Sequence, residues 1–179
     1  MDTKEPIKIL IVDDVEDNRL VLKGICRKLH GAELLEARDG EEAVKVALAE
    51  RPDIVLMDLL MSGIDGFAAT ERIKSELSET FVLAVTAINH HGLEEDLERA
   101  GFDGYILKPV SKSHLMHSLR TILWHIELKR GHRPVIGGHY PINPFSRQIR
   151  AFKTVFYVEA RTSSKEESNT TREALVATQ

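Results

Sequence analysis

Apolar positions along this chain alternate between two patterns. Short, nearly unbroken runs occupy residues 7–12, 32–37, 54–58, 81–86 and 104–107, the length and density expected of strands buried on both faces. Between them, apolar residues recur at three- and four-residue steps, the period of a helix packed on one side. Leu20, Val21, Gly24, Ile25 and Leu29 mark such a stripe within residues 15–29, and Ala43, Val44, Ala47 and Leu48 mark another within 40–50. Further helices are predicted over about 64–77, 89–100 and 111–126, the last with Leu115, Leu119, Ile122 and Ile126 on one face. Punctuation agrees with these limits. Asp39-Gly40 turns the chain into the second helix and Pro52 closes it. Gly101 stands where a helix C-terminus wants a left-handed residue, and Ser111 can cap the last helix.

Five strands alternating with five helices predict an α/β fold, a doubly wound parallel sheet covered on both faces. Right-handed connections make the flavodoxin-like strand order 2-1-3-4-5 the natural solution. This pattern fills residues 1–130. Residues 131–179 read differently, as a poorly structured C-terminal extension. Arg133-Pro134, Gly137-Gly138, Pro141 and Pro144 suit a linker. Residues 151–159 are β-prone enough for one short strand or an edge addition to a partner, and the Ser/Thr/Glu-rich end from Thr162 is expected to be disordered, apart from a short helix near 171–178. One apolar segment in such a length cannot build its own core.

Charge sharpens the boundary. Residues 131–179 carry seven Lys/Arg against four Asp/Glu, leaving the first 130 with 17 against 24. The basic excess is too small to argue for nucleic acid, and no helix-turn-helix pattern is present. No run approaches the roughly 20 apolar residues of a membrane span, the polar Met1–Pro6 stretch is unlike a signal peptide, and a single cysteine, Cys26, fits a reducing, cytoplasmic setting.

The strand order brings candidate chemistry to one edge. Asp13 and Asp14 end the first strand, Asp58 the third, Thr86 the fourth and Lys108 the fifth, and ligands of open α/β sheets bind outside the carboxyl ends of the strands. Crowded carboxylates repel and favour a compensating cation. Oxygen donors without His or Cys select a hard ion, Mg²⁺ before zinc. An aspartate beside Mg²⁺ is a competent nucleophile toward phosphorus, and a transferred phosphoryl group would find its charge met by Mg²⁺, Lys108 and the Thr86 hydroxyl. Each residue alone has a plain explanation: an acidic pair at a helix N-terminus, a structural Thr, a solvated Lys-Pro turn. Only together at one edge do they make a site. His114 and His117 share a helix face, but without a Cys or acidic partner they read as a solvated face rather than a metal site. Trp124 reads as a packing or contact residue.

Four segments carry a resemblance to a known family: Ile11-Val12-Asp13-Asp14; Met57-Asp58 with Gly66 eight residues on; Val85-Thr86-Ala87; and Tyr105-Ile106-Leu107-Lys108-Pro109. Over about residues 6–130 the chain resembles the receiver domain of two-component response regulators. The resemblance implies that Asp58 accepts a phosphoryl group from a histidine kinase or histidine phosphotransfer protein. It implies that Asp13, Asp14, Asp58 and the Leu60 carbonyl hold Mg²⁺, that Thr86 and Tyr105 switch, and that Lys108 pairs with the phosphate. The readout face would be helix 89–100, the fifth strand and helix 111–126, binding a downstream protein or a second copy of the chain. Residues 14–19 are also similar to receivers attached to or fed by hybrid kinases. Two departures from the family pattern stand out. Ser62 replaces a common proline four residues after the acceptor, loosening the loop. Leu60 and Ile88 are apolar where polar residues can orient the hydrolytic water, which predicts slow self-dephosphorylation. The expected protein is a signalling phosphoacceptor rather than an enzyme. The competing possibilities are a C-terminal arm acting as a distinct output toward a partner or nucleic acid, a receiver that binds without phosphorylation, and a phosphatase with an aspartyl nucleophile. The last expects Asp-x-Asp, whereas the residue two after Asp58 is Leu60.

Overall fold

The computed structural model describes residues 5–131; the expectations for a linker, a short strand and a polar end within 132–179 lie outside them. Five strands and five helices alternate: β1 (Ile7–Val12), α1 (Glu16–Cys26), β2 (Ala32–Ala37), α2 (Gly40–Glu50), β3 (Ile54–Met57), α3 (Gly66–Glu76), β4 (Phe81–Thr86), α4 (Leu93–Arg99), β5 (Gly104–Leu107) and α5 (Lys112–Lys129). The sheet is parallel throughout, in the order β2-β1-β3-β4-β5. Every residue of β3 and β4 is buried, which is why these strands read as continuous apolar runs rather than alternating ones. Among the described residues no helix is long and apolar enough to cross a membrane.

Helix ends follow local chemistry. Asp39 and Asp65 cap α2 and α3, each carboxylate accepting a backbone N–H, from Glu42 at 2.8 Å and Ala68 at 2.9 Å. That cap starts α3 at Gly66 rather than at about 64. Likewise, α4 starts at Leu93 rather than 89, because Gly92 sits in the left-handed region at φ 93° and breaks the helix before it. Gly101 is left-handed (φ 89°) after α4, as its position predicts. Ser111 is the N-cap of α5 without a side-chain cap bond, and its hydroxyl instead meets that of Ser113 at 2.8 Å.

Two predicted stripes need correction. Leu20 and Val21 are 52% and 56% exposed, whereas Leu22, Ile25 and Cys26 are buried. The buried set sits at i, i+3 and i+4, so α1 turns its Leu22 edge to the sheet. In α2 the buried residues are Gly40, Ala43 and Ala47, while Val44 is half-buried and Leu48 is 42% exposed. Small residues at the α2 contact let the helix lie close against its neighbours. The stripe predicted for α5 holds, with Leu115, Leu119, Ile122 and Ile126 all buried.

Candidate functional site

The strand order fixes where chemistry gathers. β1 leads to β2 on one side and neighbours β3 on the other, so the crevice where connections diverge lies above the carboxyl ends of β1 and β3. Val12 is paired with Met57 across these strands, which sets the next residues, Asp13 and Asp58, side by side. The backbone ladder carries both forward: Asp58 N–H donates to the Val12 carbonyl at 2.9 Å and Asp13 N–H to that of Ala37 at 3.3 Å. On the other side, Thr86 is paired with Leu107, and Lys108 N–H donates to the Thr86 carbonyl at 2.8 Å.

All of the predicted acidic residues converge. Ligand oxygens of Asp13, Asp14 and Asp58 lie within 4.8 Å of one another, with Asp13 and Asp58 buried and Asp14 exposed. The Lys108 ammonium reaches across from β5 and donates to Asp13 Oδ2 and Asp58 Oδ2, each at 2.8 Å. Asp58 Oδ1 accepts a long bond, 3.4 Å, from Leu60 N–H. Leu60 itself turns its side chain outward, 62% exposed. Thr86 is fully buried, and its hydroxyl oxygen accepts the Ile88 N–H at 3.0 Å, leaving the hydroxyl proton free to donate. Tyr105 is half-buried against the main core cluster, and its backbone pairs with Ala84 of β4.

The charge balance favours a further cation. Burial raises the Asp58 carboxyl above the usual carboxylate range; the bond from Lys108 opposes that shift and the Asp13 charge adds to it. Lys108 shows the complementary behaviour. Burial pulls its ammonium down, but hydrogen bonds and attraction from Asp13 and Asp58 outweigh burial and raise it overall. One ammonium shared between two buried carboxylates holds its own proton firmly and leaves Asp58 incompletely compensated.

Residues outside the predicted set shape the site. Asn18 and Arg19, in the first turn of α1, hold Asp13. Asn18 Nδ2 donates to Asp13 Oδ1 at 3.1 Å and Arg19 Nη1 to the Asp13 carbonyl at 2.7 Å. In the sequence they fall within the 14–19 run that resembles receivers attached to or fed by hybrid kinases, a signal that assigns neither of them a contact with Asp13. Gly66, eight residues past Asp58, has a steric reason to be glycine. A β-carbon there would fall 2.1 Å from the Asp58 carbonyl oxygen, far inside contact distance. Among the described residues the acidic trio is the one cluster with metal-ligand geometry. His114 is exposed and His117 half-buried, and neither belongs to it.

Comparison with known proteins identifies the family of this fold. The model of the response regulator receiver domain matches residues 9–120. Protein PilH of Pseudomonas aeruginosa is 34% identical over 119 residues, covering 65% of this chain and 97% of the relative. The polar-differentiation response regulator DivK of Brucella anthropi is 32% identical over 120 residues, covering 66% and 97%. Among solved structures, the receiver domain of a sensor histidine kinase from Pseudomonas aeruginosa PAO1, with a magnesium ion coordinated in its active-site cleft, aligns with a TM-score of 0.60. It is 30% identical, over 66% of this chain and 98% of that one. With five parallel strands in this order, an acidic edge and a family match across most of the described residues, the chain belongs to the response regulator receiver-domain family of two-component signalling proteins.

Proposed function

We propose that Asp58 is the phosphoacceptor of this receiver and that Asp13, Asp14, Asp58 and the Leu60 carbonyl hold Mg²⁺. The observation that carries this is the Lys108 ammonium lying 2.8 Å from both Asp13 Oδ2 and Asp58 Oδ2, with Asp14 alongside. The donor set fits the ion, since all donors are hard oxygens and their charge exceeds what Lys108 can balance. Bound there, Mg²⁺ supplies charge neutralisation and alignment for an entering phosphoryl group.

In the transfer step a carboxylate oxygen of Asp58 attacks the phosphorus of a phosphohistidine on a histidine kinase or phosphotransfer protein. The P–O bond to Asp58 forms as the P–N bond breaks, and the departing imidazole nitrogen is protonated from solvent. Lys108 then exchanges its contact with Asp58 Oδ2 for a phosphoryl oxygen, and Thr86 offers its hydroxyl proton to another. Each moves toward charge that did not exist beforehand. Because Lys108 and Thr86 are joined by a backbone bond between β5 and β4, motion of both displaces the loops that follow those strands. The face built from α4, β5 and α5 then changes shape, with Tyr105 turning inward as Thr86 vacates space. That face binds a downstream protein. The chain consumes its phosphodonor once per signalling event rather than turning over a substrate. Leu60, exposed, and Ile88, half-buried against the core, bring no polar group to an attacking water, which supports a long-lived phosphorylated state.

Intact mass after incubation with acetyl phosphate and Mg²⁺, beside Asp58→Asn, tests the assignment. One added phosphoryl group on the wild type and none on the variant is expected. Equal labelling of both, or labelling of neither by acetyl phosphate and by a phosphorylated kinase alike, removes Asp58 from this role.

A further inference from the structure

Asp13 is held more completely than any other member of the acidic cluster, and each restraint acts on a different freedom. Its main chain is fixed by the ladder bond to Ala37 and by Arg19 Nη1 on its carbonyl at 2.7 Å. Arg19 is itself braced by Glu36 of the β2 edge (Nε to Oε2 3.5 Å), a carboxylate also paired with Lys23 at 2.5 Å. What remains free is rotation of the carboxylate. Two donors from the start of α1 meet Oδ1: Val15 N–H at 2.9 Å and Asn18 Nδ2 at 3.1 Å. With Oδ1 engaged on that side, Oδ2 is left facing Lys108 and Asp58. Repulsion between Asp13 and Asp58, which would otherwise rotate the two groups apart, is resisted by side-chain and backbone bonds from α1.

We infer that Asn18 is a positioning residue. Its amide locks the Asp13 carboxylate so that Oδ2 is directed into the cation pocket, raising the affinity of the cluster for a divalent ion. The inference rests on the proposal that the acidic cluster holds such an ion. Val15 contributes through its backbone and survives substitution, so Asn18 is the side chain through which the lock can be removed. A carboxamide suits the task because its NH₂ donates without adding charge beside three carboxylates. Loss of an outer hydrogen bond of this kind weakens metal binding by about tenfold in comparable sites.

The test is Mn²⁺ titration of the full chain, reading the free ion by electron paramagnetic resonance, for wild type, Asn18→Ala and Asn18→Leu, with melting followed by circular dichroism. Mn²⁺ alone is the probe because it accepts the same oxygen donors as Mg²⁺. Both variants are expected to bind about tenfold more weakly while more than nine-tenths folded at the titration temperature. The Leu variant separates loss of the donor from loss of volume. Unchanged affinity in either variant overturns the assignment, whatever happens to the melting temperature, and so does a weakening no larger than the unfolded fraction explains. A wild type that fails to bind Mn²⁺ strikes instead at the cation site itself.

Discussion

At the scale of single residues the site is a set of unequal partners sharing too little positive charge. The proposed attack of Asp58 on phosphorus needs an ionised carboxylate, yet burial raises its pKa and Asp13 raises it further, with Lys108 the main opposing influence. Removing the ammonium leaves burial and the Asp13 charge opposed by the Leu60 N–H bond alone, so the balance moves toward the protonated acid. Lys108→Met is therefore expected to shift the acidic limb of the pH–rate profile for phosphorylation by acetyl phosphate to higher pH, at saturating Mg²⁺, as well as slowing the plateau. A slower plateau with an unmoved limb would mean that Lys108 acts on the transferred group alone and not on Asp58. Most of this site is legible in the sequence. Asp13, Asp14, Asp58, Thr86 and Lys108 each end a run whose strand character is plain, and strand ends in such a sheet share an edge. The contact of Asn18 with Asp13 is not legible there, although the residue lies in the 14–19 run. Its bond to Asp13 spans a loop and the first turn of α1, and the path depends on Val15 being the non-helical residue before that turn, a detail that hydrophobic periodicity does not carry.

At the scale of elements, α1 shows how a stripe can be present in a sequence and still be misassigned. Leu22, Ile25, Cys26 and Leu29 stand at i, i+3, i+4 and i+7. Three of these are buried in the structure, and Leu29 is half-buried just past the helix end. The predicted stripe shares Ile25 and Leu29 with this set but takes Leu20 and Val21 in place of Leu22 and Cys26, passing over the cysteine as an apolar position. A buried free cysteine packs as a small apolar residue. Burial pushes its thiol up to about 12, so Cys26 is an unreactive core group. The packing makes a contrast measurable by urea denaturation. Leu22→Ala, removing a side chain only 2% exposed, is expected to reduce stability by about 2–4 kcal/mol. Leu20→Ala, on the solvent side, should change it by less than about 0.5 kcal/mol. Comparable losses at both positions would mean that α1 rotates from the orientation described.

At the scale of the whole molecule, the acidic edge is a place where function opposes stability, and the sign can be worked out. A carboxyl whose pKa is raised on folding favours the native state when protonated. Its adverse contribution is absent below the ordinary carboxylate range and grows as the pH rises through the folded pKa, remaining constant above it. Asp58 is such a group. At pH 7 Asp58→Asn should therefore be more stable than the wild type without divalent ions, and the gap should narrow as the pH is lowered toward the carboxylate range. Mg²⁺ should act on the same imbalance from the other direction, binding the native cluster and stabilising it by mass action. At ten times the dissociation constant this amounts to about 1.4 kcal/mol, or roughly 5 °C in melting temperature for a domain of this size. The two effects should overlap, because the substitution removes part of the charge that the ion compensates. Mg²⁺ should raise the melting temperature of Asp58→Asn less than that of the wild type, with a matched NaCl series correcting for general screening. If Asp58→Asn melts below the apo wild type at pH 7, the pairing of Asp58 with Lys108 outweighs its burial and the direction assigned to its pKa is wrong. If the variant is the more stable protein yet gains as much from Mg²⁺ as the wild type, Asp58 is not among the residues that hold the ion.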